Sequence, residues 1–384
     1  MLKSLDLFSG VGGITHALRG LARPVAYCEK DPACQRVLRK LMKAGKVPTA
    51  PLHDDVAKLT AANVGKVDAI VAGFPCIGFS ACGLKLGLDN PGSKLFFHVV
   101  RLAKALRPPF LFLENVDAIL GNDDIRKVVR SVRGMGYDMW WVVMPAYALG
   151  SPQIRRRWFC LAVLRGTGHP TSLTTGEAYP PFKWAAEPVP RMILEASTEI
   201  RDRMRMLGNT VVPDCVRAAF LSLWTGCKTP VRELLASSAR PGRRFPLTPP
   251  APAGPLLDSH SSHFACVTGS EKTPWQRIAA PPGMAELPAP KFVLDPAAYK
   301  APKGYVPRDT SGRVTKPVRR SCWATPRVSN GLHGMHVLTV RGKNDLGSQL
   351  RYERGTPDAL RPGYTNPEFV EWMMGYPRGW TTTS

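Results

Sequence analysis

The sequence predicts an α/β protein with a doubly wound, mostly parallel sheet and a smaller, loop-rich C-terminal region. Three observations carry this expectation. Over roughly the first 165 residues, short apolar runs alternate with amphipathic stretches, as in repeated strand–helix–strand units. The first apolar run leads into "DLFSGVGG" (6–13), a glycine-rich turn of the kind that joins a strand to a helix. Beyond residue 230 the alternation stops, and 21 of the 37 prolines fall in 230–384.

Taken in order, the strand candidates are "SLDLF" (4–8), "PVAYC" (24–28), "DAIVAGF" (68–74), "FLFLENV" (110–116), "DMWWVVMPA" (138–146) and "RRWFCLAVL" (156–164). Continuous apolar character in such short runs is what a strand buried on both faces requires. Helical stretches are expected near 13–20, 32–45, 93–106 and 123–134. The last two strands are joined by a loop carrying Gly150, Ser151 and Pro152. That loop is too short for a parallel crossover, so the two strands should pair antiparallel at one end of the sheet. After a Gly/Thr/Pro break, helical periodicity returns at 192–207, followed by "GNTVVP" and a helix with Pro213 near its start.

Several residues stand where chemistry is expected. In "GFPCIGFS", Cys76 follows Pro75 at the end of a buried strand, the edge at which ligands collect in open α/β sheets. It is a candidate reactive thiol, the alternative being a small buried hydrophobe. Glu29 lies about 20 residues beyond the glycine turn. There it could accept hydrogen bonds from ribose hydroxyls or simply begin a helix. Asp55, after a possible third strand in "HDDV" (53–56), could meet an adenine amino group. Glu114 ends the apolar "FLFL" run, and burial there would raise its pKa and suit it to donate a proton. Gln153, Arg155 and Arg157 alternate in "SPQIRRRWF", so on a strand they would share one face. An arginine pair of that kind suits a phosphate or carboxylate clamp, or else the protection of an exposed edge.

Charge points to the partner. Lys and Arg outnumber Asp and Glu by 52 to 29, a net charge of +23, which favours a polyanion such as nucleic acid through counterion release and long-range steering. No apolar run approaches the ~18 residues of a membrane span, and the start leaves no room for a signal peptide. A soluble, intracellular protein is therefore expected. Nine scattered cysteines without metal-ligand spacing suggest reduced thiols and no structural metal.

The ordered blocks "DLFSGVGG", "GFPCIGFS", "ENV", "QIRRR" and "GNTVVP" resemble the signature of the cytosine-5 DNA methyltransferases, across roughly residues 3–225. The resemblance implies a Rossmann-like methyltransferase fold binding S-adenosylmethionine and acting on a cytosine flipped from double-stranded DNA. Cys76 would be the nucleophile, with Pro75 shaping its turn. Glu114 would hold the N3 edge of the base, Arg155 would contact the base, and Arg157 would support the loop. Phe8, Gly10, Gly12, Glu29, Asp55, Val56 and Asn209 would line the cofactor site, while Ser80 and Gln153 would join Pro75 near the substrate.

The chain departs from that family's pattern in three ways. Ile77 replaces the glutamine usual after the nucleophile. Only 50 residues separate Arg157 from Gly208, where most members insert a recognition domain. A basic extension follows "GNTVVP" instead. The expected organisation is thus a catalytic domain over 1–229, a Pro-rich linker over 230–256 and a basic accessory region over 257–384. Candidate DNA contacts in that region are Arg319, Arg320, Arg327, Arg341 and Lys343, interleaved with Trp323 and His336. Two other readings stay open: an RNA (tRNA) cytosine-5 methyltransferase, and an inactive DNA-binding or regulatory relative. A monomer is expected, as is a place in restriction-modification.

Overall fold

The computed structural model describes residues 1–75, 95–121, 124–153, 155–184, 189–190, 192–193, 197–226, 231–247, 264–267 and 364–383. Two units emerge. One comprises Met1–Pro145, Arg156–Phe182 and Val212–Leu287; the other comprises Ala146–Arg155, Lys183–Val211 and Pro288–Ser384.

The first unit is the doubly wound sheet. Its strands are β1 (Leu2–Leu7), β2 (Ala22–Cys28), β3 (Leu52–His53), β4 (Ala69–Gly73), β5 (Phe110–Val116), β6 (Tyr137–Pro145) and β7 (Arg156–Leu164). Three short strands follow: β8 (Ser172–Thr174), β10 (Arg244–Pro246) and β11 (Phe264–Val267). The main sheet runs in the order β11-β6-β7-β5-β4-β1-β2-β3. The strands β1 to β5 are mutually parallel. As the short connecting loop demands, β6 and β7 pair antiparallel, and β7 lies between β6 and β5.

The period of two along β5 sorts its side chains between opposite faces. Leu111 and Leu113 join the core cluster containing Phe96, Val99 and Leu102 of helix α4 (Phe96–Leu106) and Val128, Val129 and Val132 of helix α5 (Asp124–Gly134). The intervening Phe110 and Phe112 instead meet Trp224 and Phe220 of helix α7 (Pro213–Trp224), at ring-centroid distances of 4.9 and 5.1 Å. A run apolar at every position is therefore what a two-sided core needs. The remaining helices of this unit are α1 (Gly13–Ala17), α2 (Pro32–Lys43), α3 (Ala61–Val64) and α8 (Val231–Ser238). Asp31 caps α2 by accepting from the Ala33 N–H at 2.8 Å.

Residues 231–247, read by composition as the start of a linker, hold α8 and β10. β10 pairs antiparallel with β8, and the Trp224 indole donates to the Phe245 carbonyl at 3.1 Å.

In the second unit, helix α6 spans Thr198–Asn209, a later start than the expected 192. Ser197 sets that start, its hydroxyl accepting from the Ile200 N–H at 3.1 Å. Upstream, β9 (Met192–Ile193) pairs antiparallel with β12 (Tyr364–Thr365). Helix α9 (Pro367–Met374) follows and packs on α6. Its Glu371 is fully buried and takes hydrogen bonds from Arg203 Nη2 (3.1 Å), the Gly379 N–H (2.7 Å), the Thr381 N–H (2.8 Å) and the Thr381 hydroxyl (2.5 Å). Among the described residues no helix is long and apolar enough to cross a membrane.

Arg217, fully buried on α7, closes the first unit. Its guanidinium donates to the carbonyls of Ala17 (2.8 Å) and Arg19 (2.9 Å) and to the Ser238 hydroxyl (2.8 Å). Burial lowers its pKa to about 10, so it stays charged at neutral pH. Arg217→Met should therefore strand buried acceptors and cost about 3 kcal/mol of stability, read from denaturant unfolding. An unchanged midpoint would refute this role.

Candidate active site

Five parallel strands in the order β5-β4-β1-β2-β3 send their carboxyl ends to one edge, with the switch in direction at β1 and β4. That is where open α/β sheets hold ligands. Straight after β1, Phe8, Gly10 and Gly12 all adopt positive φ, at 56°, 54° and 76°. The loop is drawn against the next strand: the Ser9 N–H donates to the Cys28 carbonyl (3.1 Å), and the Gly10 N–H donates to Glu29 Oε2 (2.7 Å). A Cβ on Gly10 would meet no atom within 4 Å, so conformation rather than crowding calls for glycine there.

The sequence-nominated cofactor residues of this unit therefore sit at successive strand ends. Glu29 follows β2 and accepts also from the Asp31 N–H through Oε1 at 2.8 Å. Asp55 follows β3 and accepts from the Ala57 N–H at 2.9 Å. Val56 is buried, and its carbonyl receives Arg101 Nη2 at 2.8 Å. Half-buried Phe8 packs against the core cluster. Two carboxylates at successive strand ends, two apolar side chains and an open glycine turn suit a nucleoside with a charged amino-acid tail, so the residues present fit S-adenosylmethionine. Asn209 closes α6, is exposed and belongs to the second unit.

Glu114 is 8% exposed on β5. Its Oε1 lies 3.2 Å from Arg157 Nε on β7, a diagonal pairing, since Arg157 stands opposite Val116. Gly73 leaves room for the carboxylate, because a Cβ there would come within 3.1 Å of Glu114 Oε2. Next along β5, the Asn115 side-chain amide donates to the Phe74 carbonyl at 3.1 Å, which pins the chain just ahead of half-buried Pro75. Cys76 and Ser80 lie outside the described residues, as do the candidate DNA contacts between Arg319 and Lys343.

The expectation that Gln153, Arg155 and Arg157 share a strand face is corrected here. β7 begins at Arg156, and Gln153 and Arg155 precede it in the second unit. The backbone there is engaged otherwise, the Arg155 carbonyl receiving the Ala146 N–H at 2.7 Å, and Pro152 has no N–H to give a ladder. The buried Gln153 amide donates to the Met373 carbonyl at 2.9 Å. Buried Arg155 donates through Nη2 to the carbonyls of Thr210 and, at 3.4 Å, Gly208.

Two residues escaped the sequence reading. Asn115 is one. The other is Asp6, 1% exposed at the end of β1, whose Oδ2 accepts from the Thr15 hydroxyl. Burial, reinforced by the Glu29 charge and opposed by the Thr15 and Ser9 hydrogen bonds, pushes its pKa up to about 7. The lone acid of that strand was the available signal.

With this geometry in place, the comparisons with known proteins are consistent. The family model for C-5 cytosine-specific DNA methylase matches residues 2–214. The chain belongs to that family and is a DNA cytosine methyltransferase. The type II methyltransferase M.CviJI of Paramecium bursaria Chlorella virus IL3A is 29% identical over 97% of this chain and 96% of its own length. M.MspI of Moraxella sp, also a type II methyltransferase, is 33% identical, but over 44% of this chain and 40% of its own. Among solved structures, S. pombe Dnmt2 methyltransferase is 22% identical, covers 44% of this chain and 53% of that one, and gives a TM-score of 0.36.

Asp6 has a pH signature. A carboxyl held near 7 in the folded protein and at 3.8 when unfolded contributes stability that is fully present below pH 3.8 and lost as pH rises through 7. Between those limits the slope should approach about 1.4 kcal/mol per pH unit. Asp6→Asn should flatten that part of the stability–pH curve, measured by denaturant unfolding from pH 4 to 8. An undiminished slope in the variant would assign it to other groups.

Proposed function

We propose that the chain methylates carbon 5 of a flipped cytosine in double-stranded DNA, with Cys76 as a covalent nucleophile and S-adenosylmethionine as methyl donor. The observation that supports this most strongly is the buried Glu114–Arg157 pair beside the Asn115-pinned exit of β4, the strand that leads to Cys76, in a chain of this family.

The cofactor would be held by Phe8, Gly10, Gly12, Glu29, Asp55, Val56 and Asn209, and when bound it supplies a methyl group on a sulfonium, an electrophile. Cytosine carbon 5 is too weakly nucleophilic to take that methyl group unaided. Addition of the Cys76 thiolate to carbon 6 makes the ring an enamine, with electron density at carbon 5. Glu114 favours the addition by holding and protonating N3, and Arg157 keeps the Glu114 carboxylate in orientation. Arg155 contacts the base, with Pro75, Ser80 and Gln153 at the same substrate. Carbon 5 takes the methyl group, whose former carrier is left as a neutral thioether. N3 then returns its proton to Glu114, a base removes the carbon-5 proton, and the electron pair returned to the ring expels the Cys76 thiolate. Splitting the reaction across a covalent adduct lowers each barrier, and the target base must leave the duplex stack for the thiolate to reach it.

The net charge of +23 supports the polyanionic partner. With only 50 residues between Arg157 and Gly208, we assign much of the DNA reading to the basic region 257–384. The naming of M.CviJI and M.MspI as type II methyltransferases supports a modification role alongside a restriction activity, exerted by a monomer.

Methyl transfer from labelled S-adenosylmethionine to unmethylated genomic DNA, mapped at base resolution, tests the reading. Wild type should methylate cytosines in one short context. Cys76→Ala should abolish transfer, and Glu114→Gln should reduce kcat by about 10²- to 10⁴-fold while retaining cofactor binding. Folded, cofactor-binding protein that leaves DNA unmethylated would overturn it.

A further inference from the structure

We infer that residues 364–383 belong to the catalytic apparatus, with Tyr376 acting as a positioning residue for Arg155. This rests on the reading of Arg155 as a base contact.

The argument follows one chain of contacts inside the second unit. The Arg155 guanidinium donates to the backbone carbonyls of Gly208 (3.4 Å) and Thr210, so the 208–211 turn sets its orientation. One phenol engages that turn at two points. Tyr376, 1% exposed, donates to the Val211 carbonyl at 3.0 Å and takes the Thr210 hydroxyl at 2.7 Å. Tyr376 is itself fixed where α9 ends. Gly375 turns the chain at φ 76°, and the Tyr376 N–H donates to the Glu371 carbonyl at 2.9 Å. The buried Glu371 carboxylate then ties α9 to Arg203 and Thr381.

The same helix end reaches the 151–155 stretch directly. The Met373 carbonyl accepts from the Ser151 hydroxyl and the Gln153 amide, each at 2.9 Å. Arg155 is thus constrained from both sides by residues more than 160 positions downstream: through its own stretch by Met373, and through its acceptors by Tyr376. A hydroxyl whose two partners bracket the peptide that orients a guanidinium matters to rate, because small displacements of a substrate-contacting group carry large rate penalties.

Full-length Tyr376→Phe, Thr210→Val, the double variant and Thr210→Ser test this, with wild type and Cys76→Ala alongside. Tyr376→Phe removes both hydrogen bonds of the phenol, and Thr210→Val removes the one they share. The single-turnover methyl-transfer rate at saturating cofactor should fall about 10-fold in Tyr376→Phe and in Thr210→Val. The double variant should be no slower than the singles, as coupled residues require, and Thr210→Ser should keep the wild-type rate. Cofactor affinity should be unchanged throughout, and every variant should remain fully folded at the assay temperature. A wild-type rate in Tyr376→Phe, multiplicative losses in the double variant, or a rate loss accounted for by unfolded protein or by weakened cofactor binding would overturn the inference. A failure of the functional reading shows separately, as methyl transfer by Cys76→Ala equal to wild type.

Discussion

Parallel pairing is the constraint on which the first unit rests. Parallel neighbours need a crossover back to the starting edge, so β1 to β5 all release their chain on the same side of the sheet. Everything with chemical capacity in this unit follows from that: the glycine turn after β1, Glu29 after β2, Asp55 after β3, the Phe74–Pro75 exit from β4 and Glu114 on β5. The Gly10-to-Glu29 hydrogen bond then does locally what the sheet does globally, holding two successive strand ends in one register. Where β6 and β7 break the parallel pattern, β7 brings Arg157 beside β5 and supplies the cation that Glu114 faces.

Buried charge organises both units more than it stabilises them. Desolvation offsets much of the attraction within a buried pair, so Glu114–Arg157 and Arg203–Glu371 count chiefly as geometric restraints. Glu371 shows the distinction well. Its oxygens collect a guanidinium, two backbone N–H groups and a hydroxyl, a set that only one arrangement of α6, α9 and the 379–381 turn can satisfy. Asp6 lacks a cation among its described partners and responds by moving its titration upward instead.

The legible parts of the fold were those with local causes. β5 and β7 run over 110–116 and 156–164 as expected, because two-sided burial leaves unbroken apolar runs, and the antiparallel β6–β7 pairing followed from loop length alone. Phe8, Gly10, Gly12, Glu29, Asp55 and Val56 fall at strand ends for the same reason. Less legible was anything decided by distant partners. The alternation of Gln153, Arg155 and Arg157 looked like a strand face, yet tertiary hydrogen bonds hold the first two off the strand. The start of α6 depended on one capping serine within a longer helical pattern. Asp6 and Asn115 sat inside motifs that stand out for their glycines and for Glu114, and their roles show only in the partners they reach.

The separation of Arg203 from Glu371 has a consequence for the life of the chain. Their ion pair joins positions 168 residues apart, and synthesis runs at roughly 5–20 residues per second. On the ribosome, α6 therefore waits roughly 8 to 34 seconds for its counter-charge. Meanwhile the sheet of the first unit, whose β1 to β7 lie within the first 164 residues, already has its strands. A nascent or prematurely terminated polypeptide would hold the glycine turn and β5 without the anchor for the 208–211 turn. Base modification would then be a property that arrives late in translation, withheld from fragments by the loop-closure cost of these long-range contacts.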